Sequence, residues 1–204
     1  IIGNLDLANE VDDREMQREF LENARRSAQQ GAAVVSQLLF YARKSDVEAK
    51  YIQADELLTN LTSLSRTLVP SRVKIEIEPP DTGLGVVVDQ AHFVAAMLNL
   101  IKNGADATGD TGRIKVHARK DSFRKAVACT GNRMLPPADY VIFAVTDNGS
   151  GISAENIDLV AEPFFTTKPI GKGSGMGLSM VCEFAAKSGG GLRINSSSDG
   201  SRVE

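Results

Sequence analysis

The 204-residue chain has no tryptophan, two histidines and two cysteines, and aromatic residues make up 5% of it. Cys129 and Cys182 stand far apart in sequence and in no metal-ligand spacing, which excludes a zinc ribbon or disulfide framework and predicts reduced thiols. No apolar run reaches the length of a membrane span, and the N-terminus lacks a signal-peptide pattern. The chain is expected to be soluble, cytoplasmic and free of membrane contact, any anchor belonging to a longer parent. A net charge of −3 supplies no basic footprint, so nucleic acid is not an expected partner. Neither a P-loop of the Gly-x-x-x-x-Gly-Lys-Ser/Thr type nor a Gly-x-Gly-x-x-Gly fingerprint after a strand is present.

What the chain does have is a glycine-punctuated stretch, Glu162 to Val181. Gly171, Gly173, Gly175 and Gly177 alternate before the apolar pattern Leu178, Met180, Val181 and Phe184. Glycine lets backbone N–H groups approach a ligand closely. A helix starting at the end of such a run presents unpaired N–H groups and a positive dipole, which favour polyphosphate. The stretch reads as a mobile nucleotide lid, with a flexible linker as the plain alternative.

The opening residues Ile1, Ile2, Leu5 and Ala8 recur at helical spacing with no cap in front, so the chain is read as starting inside a helix. A polar break over Asn9 to Asp13 follows, with Asp12 or Asp13 as cap. From Arg14 to about Ser45, Met16, Phe20, Leu21, Ala24, Ala28, Ala32, Val35, Leu38, Leu39 and Ala42 mark one face of a long helix. A helix of ~30 residues is about 45 Å long, too long to hide its stripe against a short stub, so a partner helix from another chain is expected.

Beyond residue 48 helix and strand signals alternate. Tyr51 and Ile52 begin a strand, and Asp55 is the expected cap of a helix from Glu56 to Leu68. Val73, Ile75 and Ile77 alternate with charged residues, and Leu84 to Val88 is apolar. Asp89 is positioned to cap a helix from about Gln90 to Ala107. Ile114, Val116 and Ala118 form a strand, Lys120 to Ala138 reads as an extended polar loop, and Tyr140 to Val145 leads as a strand into Asp147. Leu192 and Ile194 begin a single last strand. The order predicts an α+β sandwich of one sheet against a helical layer, residues 49–204, after a helical region over 1–48.

Three further stretches carry chemistry. Asn99 and Asn103 are four apart and share a helix face. Their amide oxygens suit Mg²⁺, though two asparagines on a solvated face are equally readable. Asp147-Asn148-Gly149-Ser150-Gly151 follows an apolar strand, so its carboxylate is placed to accept from an exocyclic amine beside glycines that leave room for a flat base; a tight turn is the alternative. Phe164-Phe165 reads as a hinge or cover for the lid, or as a local core anchor.

Together these stretches resemble the catalytic ATP-binding domain of bacterial sensor histidine kinases, in the superfamily shared with DNA gyrase and mismatch-repair ATPases. Asn99 to Ala107 is similar to the N box, Asp147 to Gly151 to the G1 box, Glu162 to Lys168 to the F box and Gly173 to Ser179 to the G2 box, in family order. The resemblance implies that ATP and Mg²⁺ are bound, with Asn103 on the metal and Asn99 and Asn103 catalytic. It implies that Asp106 supports the phosphates or metal, that Asp147 takes the adenine amine, and that Gly149 and Gly151 shape the base site. It also assigns Phe164, Phe165, Thr167, Lys168, Lys172, Gly173, Gly175, Met176, Gly177 and Leu178 to the nucleotide-covering segment.

The long helix then resembles the second helix of a dimerization and histidine-phosphotransfer region, in which two chains form a four-helix bundle, and residues 1 to 8 resemble the end of the first. The implied partners are a second copy and a response-regulator receiver domain. The implied reaction moves the ATP γ-phosphate to a histidine absent from this sequence, then to a receiver aspartate. His92 and His117 match no acceptor motif. A non-kinase ATPase of the same superfamily and a catalytically silent relative are the alternatives.

Overall fold

The structure, a computed structural model, describes residues 1–11, 13–42, 49–109, 111–169 and 173–204. Its backbone forms two units, one of Ile1–Ser45 with Thr166–Ser174, the other of Asp46–Phe165 with Gly175–Glu204.

In the first unit, α1 (Ile2–Glu10) packs on α2 (Arg14–Ala42). The break between them is short because Asp13 supplies the start of α2, its Oδ1 accepting from the Glu15 N–H at 2.8 Å. Gln17 Nε2 donates to the Ala8 carbonyl at 3.0 Å, tying the two helices. The alternative cap Asp12, the run of α2 beyond Ala42 and the expected boundary at 48 lie outside the described residues.

The second unit is built on a sheet of order β2 (Lys74–Ile77), β4 (Arg113–Phe123), β7 (Ala138–Asp147), β9 (Gly200–Val203), β8 (Ile194–Ser197). Only β2 and β4 are parallel. Ile114, Val116 and Ala118 of β4 are buried while their neighbours are more exposed, the period-two pattern of a sheet with one covered face. That face is covered by α4 (Gln90–Ala107), whose buried Phe93, Ala96, Met97, Leu100, Ile101, Gly104 and Ala105 recur every three or four residues. Phe93 meets the Phe143 ring of the sheet edge-on at 4.7 Å and Phe184 of α5 (Gly177–Lys187) at 6.3 Å, so α4 touches both the sheet and α5. Asp89 caps α4, accepting from the His92 N–H at 2.9 Å.

A small antiparallel pair, β1 (Lys50–Gln53) with β3 (Gly85–Val88), stands beside this sheet. Between its strands α3 (Ala54–Leu68) starts one residue before the expected Asp55 cap. Ala54 is fully buried and its N–H donates to the Leu84 carbonyl at 2.8 Å, so the strand pairing starts the helix. Asp55 and Glu56 instead sit in the first turn, where their charge favours the helix dipole.

The stretch from Lys120 to Ala138 is not the expected loop. β4 continues to Phe123 against β7, and β5 (Val127–Cys129) pairs with β6 (Arg133–Leu135). Cross-strand polar contacts replace the missing apolar signal: Ser122 Oγ to Asp139 Oδ1 and Lys120 Nζ to Asp139 Oδ2, both 2.6 Å. The β5–β6 connection is the three residues Thr130-Gly131-Asn132 between the paired Cys129 and Arg133, and Gly131 and Asn132 both have positive φ, the left-handed backbone that tight hairpin connections use. The single expected last strand is likewise a hairpin, β8–β9.

Candidate nucleotide site

Asp147 ends β7 with its side chain on the α4 side of the sheet. Its Oδ1 accepts from the Gly149 N–H at 2.8 Å, and the Ser201 backbone N–H also serves its carboxylate. Burial pushes the Asp147 carboxyl above its ordinary value, and these two N–H groups pull partly against that rise. α4 approaches closely here because residue 104 is glycine: a Cβ there would stand 3.2 Å from Asp147 Cβ and 3.5 Å from Oδ2. A methyl group at Gly149 would come within 2.7 Å of the Ala107 carbonyl, and one at Gly200 would strike the Asp147 backbone. Gly151, at φ +72°, lies against the Ser197 carbonyl, while Ser196 Oγ accepts from the Ile152 N–H at 2.7 Å. Asn148 pins the loop to the start of β4, its Oδ1 accepting from the Arg113 N–H at 2.6 Å. The G1 stretch is thus a clasp around one half-buried carboxylate.

The other end of the site lies where α5 begins. A Cβ on Gly177 would stand 3.5 Å from Asn103 Nδ2 and 3.7 Å from Asn99 Oδ1, so both amides face the first residue of α5. One helix, α4, therefore carries Gly104 toward Asp147 and Asn99 and Asn103 toward Gly177. Asp106 is exposed and its Oδ2 meets Lys102 Nζ at 3.2 Å. Met176 is buried, and Leu178 is half-buried against the core. Phe164 is exposed at 70% and Phe165 is half-buried.

Thr167, Lys168 and Gly173 belong to the first unit. The Lys168 N–H donates to Thr166 Oγ1 at 3.1 Å, and a Cβ on Gly173 would lie 2.8 Å from that same oxygen. Lys172 and Gly171 lie outside the described residues.

Among the described residues no three His, Cys, Asp or Glu side chains group as metal ligands. Mg²⁺ keeps several waters and takes few protein ligands beside substrate phosphates, so one amide oxygen from Asn103 fits that ion's habit. Sequence reasoning missed Gly104, Ser196, Gly200 and Ser201. A glycine inside a helix costs roughly 1 kcal/mol against alanine, and that cost at Gly104 was the readable signal. The other three are placed only by the β8–β9 hairpin.

The second unit is thus a two-layer α+β domain with a half-buried carboxylate at one end of a helix and paired amides facing a glycine-started second helix. A family model described as Histidine kinase-, DNA gyrase B-, and HSP90-like ATPase matches residues 88–204, and the chain belongs to that family. The curated relatives that match it are sensor histidine kinases. Over 168 residues it is 35% identical to the sensor kinase CckA of Brucella abortus (strain 2308), covering 82% of this chain and 18% of that protein. The chain thus spans a minor part of the length of this curated relative. Among solved structures, the histidine kinase ThkA in complex with the response regulator TrrA superposes with a TM-score of 0.69 at 20% identity, covering 95% of this chain and 52% of that one. Full-length ShkA in complex with AMPPNP gives a TM-score of 0.65 at 21% identity, covering 98% and 41%. At such identities the two structures speak to fold. No described helix is long and apolar enough to cross a membrane.

Proposed function

We propose that this chain binds ATP with Mg²⁺ and supplies the catalytic half of a protein-histidine kinase, directing the γ-phosphate to a histidine on another element for relay to a receiver aspartate. The observation that carries this reading is the placement of Asn99 and Asn103 against Gly177 on the same helix that holds Gly104 against Asp147. Asp147 accepts the adenine amine, and the N–H groups at the start of α5 meet phosphate oxygens. Asn103 holds Mg²⁺, which neutralises phosphate charge when bound. Phosphoryl transfer asks for positioning and electrostatics more than covalent chemistry, which suits a site without an evident nucleophile. The hydrolytic alternative needs a carboxylate to activate water, and the residue one turn before Asn103 is the amide Asn99.

Calorimetry with AMPPNP tests this. Binding is expected with Mg²⁺ and is expected to weaken about tenfold or more when EDTA is added or in Asn103→Ala, since loss even of outer-shell metal partners costs roughly 10–100-fold. Equal affinity under all three conditions would remove Asn103 from the metal.

The helical unit is proposed to pair with a second copy, and a receiver domain is the proposed phosphate acceptor. Ile2, Leu5, Leu7, Met16 and Leu21 leave apolar surface exposed along α1 and α2, which suits a four-helix bundle between copies. Light scattering should report a dimer that Met16→Lys with Leu21→Lys converts to monomer, because each buried ammonium lacks a partner. A wild-type monomer at high concentration would sink the pairing.

A further inference from the structure

Phe164 is one of two non-glycine residues with positive φ among those described. The other, Asn132, is explained by its hairpin turn. Phe164 occupies the third position of the turn Glu162-Pro163-Phe164-Phe165, closed by the Phe165 N–H donating to the Glu162 carbonyl at 3.3 Å. With proline second and φ +71° third, this is the type II pattern, which favours glycine or asparagine at that position. A left-handed L residue is disfavoured by a factor of roughly 5 to 30 in population. The ring does not compensate by burial, being 70% exposed. The backbone, by contrast, is engaged from both sides. Pro163 precedes it, and Gly175, itself at φ +67°, lies so close that a Cβ there would run into the Phe164 carbonyl carbon and oxygen and stand 2.7 Å from its Cα.

We propose that Phe164 is a positioning residue for the nucleotide site, acting through its left-handed backbone and not its ring: the turn and Gly175 form a backbone clamp that fixes where α5 and its Gly177 start. This rests on the nucleotide-binding reading above. Gly175 is the last free joint before Met176 and Gly177, so displacement of the clamp moves the α5 N–H groups relative to Asn99 and Asn103.

A series at one position separates backbone from ring. Phe164→Asn accepts positive φ and lacks the ring, Phe164→Tyr keeps the ring, and Phe164→Val rejects positive φ. With AMPPNP and Mg²⁺, Asn and Tyr are expected to stay within about threefold of wild type, whereas Val and Gly175→Ala weaken binding about tenfold, the size of the left-handed penalty. Melting temperatures recorded alongside show whether a variant is folded. Hydrogen exchange at the Phe165 amide gives a reading without nucleotide: protection is expected to persist in Asn and Tyr and to fall in Val and Gly175→Ala. If Tyr retains affinity while Asn loses it tenfold, the ring acts and the inference is overturned, even where the Val variant fails to fold. If wild type fails to bind AMPPNP, the functional reading fails, while the exchange series still decides the clamp.

Discussion

Replacing Asp147 with asparagine is expected to move affinity and stability in opposite directions. The half-buried Asp147 carboxyl has a raised pKa whose largest cause is loss of water, only partly offset by the Gly149 and Ser201 N–H groups. The folded protein therefore binds a proton at Asp147 more tightly than the unfolded chain. Stability linked to this group is greatest at low pH and falls as pH rises from the unfolded carboxylate value through the raised folded one. Above the raised folded value that cost is present in full, and Asp147→Asn removes it, since the amide carries no charge to desolvate. The variant should melt at or above the wild-type temperature and show a flatter pH dependence. Its affinity for AMPPNP should fall by about tenfold or more, because an acceptor of the adenine amine is replaced by a group that places donors beside it, a loss of roughly 1–3 kcal/mol. Acidification should weaken wild-type binding at a pH above the usual carboxylate range for the same reason. Undiminished affinity in Asp147→Asn, with calorimetry as the measure, would take the base-recognition role away from this residue. A lower melting temperature would instead mean that the Asp147 charge holds the Gly149–Ser201 clasp together.

The elements legible in the sequence are those whose pattern coincides with burial. α4 was read from Asp89 to Ala107 because its cap and its apolar spacing agree, and the structure keeps both. β4 was read at Ile114, Val116 and Ala118, where alternation is clean, and lost from Lys120 onward, where Asp121, Ser122 and Asp139 hold the ladder by polar pairs. The two hairpins at Gly131-Asn132 and before Gly200 escaped because their strands are three or four residues long. Cys129 and Cys182 illustrate a different limit. Far apart in sequence, they flank the Thr130-Gly131 step, with Cys182 Sγ donating to the Thr130 carbonyl at 3.7 Å and standing 3.6 Å from a Cβ on Gly131. Burial raises the pKa of both thiols. At the site, the residues found from sequence are those whose own chemistry meets the ligand. Of the ones missed, Gly104, Gly200 and Ser201 act by permitting or making backbone approach to Asp147; the packing of α4 shows this for Gly104, and the sheet register Asp147 to Ser201 shows it for the other two.

Incubated with labelled ATP and Mg²⁺, this 204-residue chain is expected to incorporate no acid-labile phosphate while binding nucleotide in the same sample. Transfer to a histidine requires the nucleophile held in line with the γ-phosphate, and positioning supplies most of the catalysis. His92 sits in the first turn of α4, its Nδ1 3.2 Å from Asp89 Oδ1. Asn99 and Asn103 lie seven and eleven residues along the same helix, about 10 and 16 Å away at ~1.5 Å per residue. A rigid helix cannot bring its start to its own far end. His117 lies on β4 between Val116 and Ala118, whose side chains are in the core under α4, so its own side chain points to the opposite face of the sheet. The sheet itself stands between His117 and the amides. Burial holds the His117 pKa below the ordinary value, reinforced by Arg202, Arg119 and Lys115 against Glu78, so the ring is neutral at pH 7, yet its Nδ1 is buried among protein atoms. Neither histidine is therefore a competent acceptor, although a neutral imidazole is the right nucleophile chemically. Acid-labile label that disappears in His92→Ala or His117→Ala would place the acceptor inside this chain, and would require the phosphate to reach a face of α4 or of the sheet remote from Asn103.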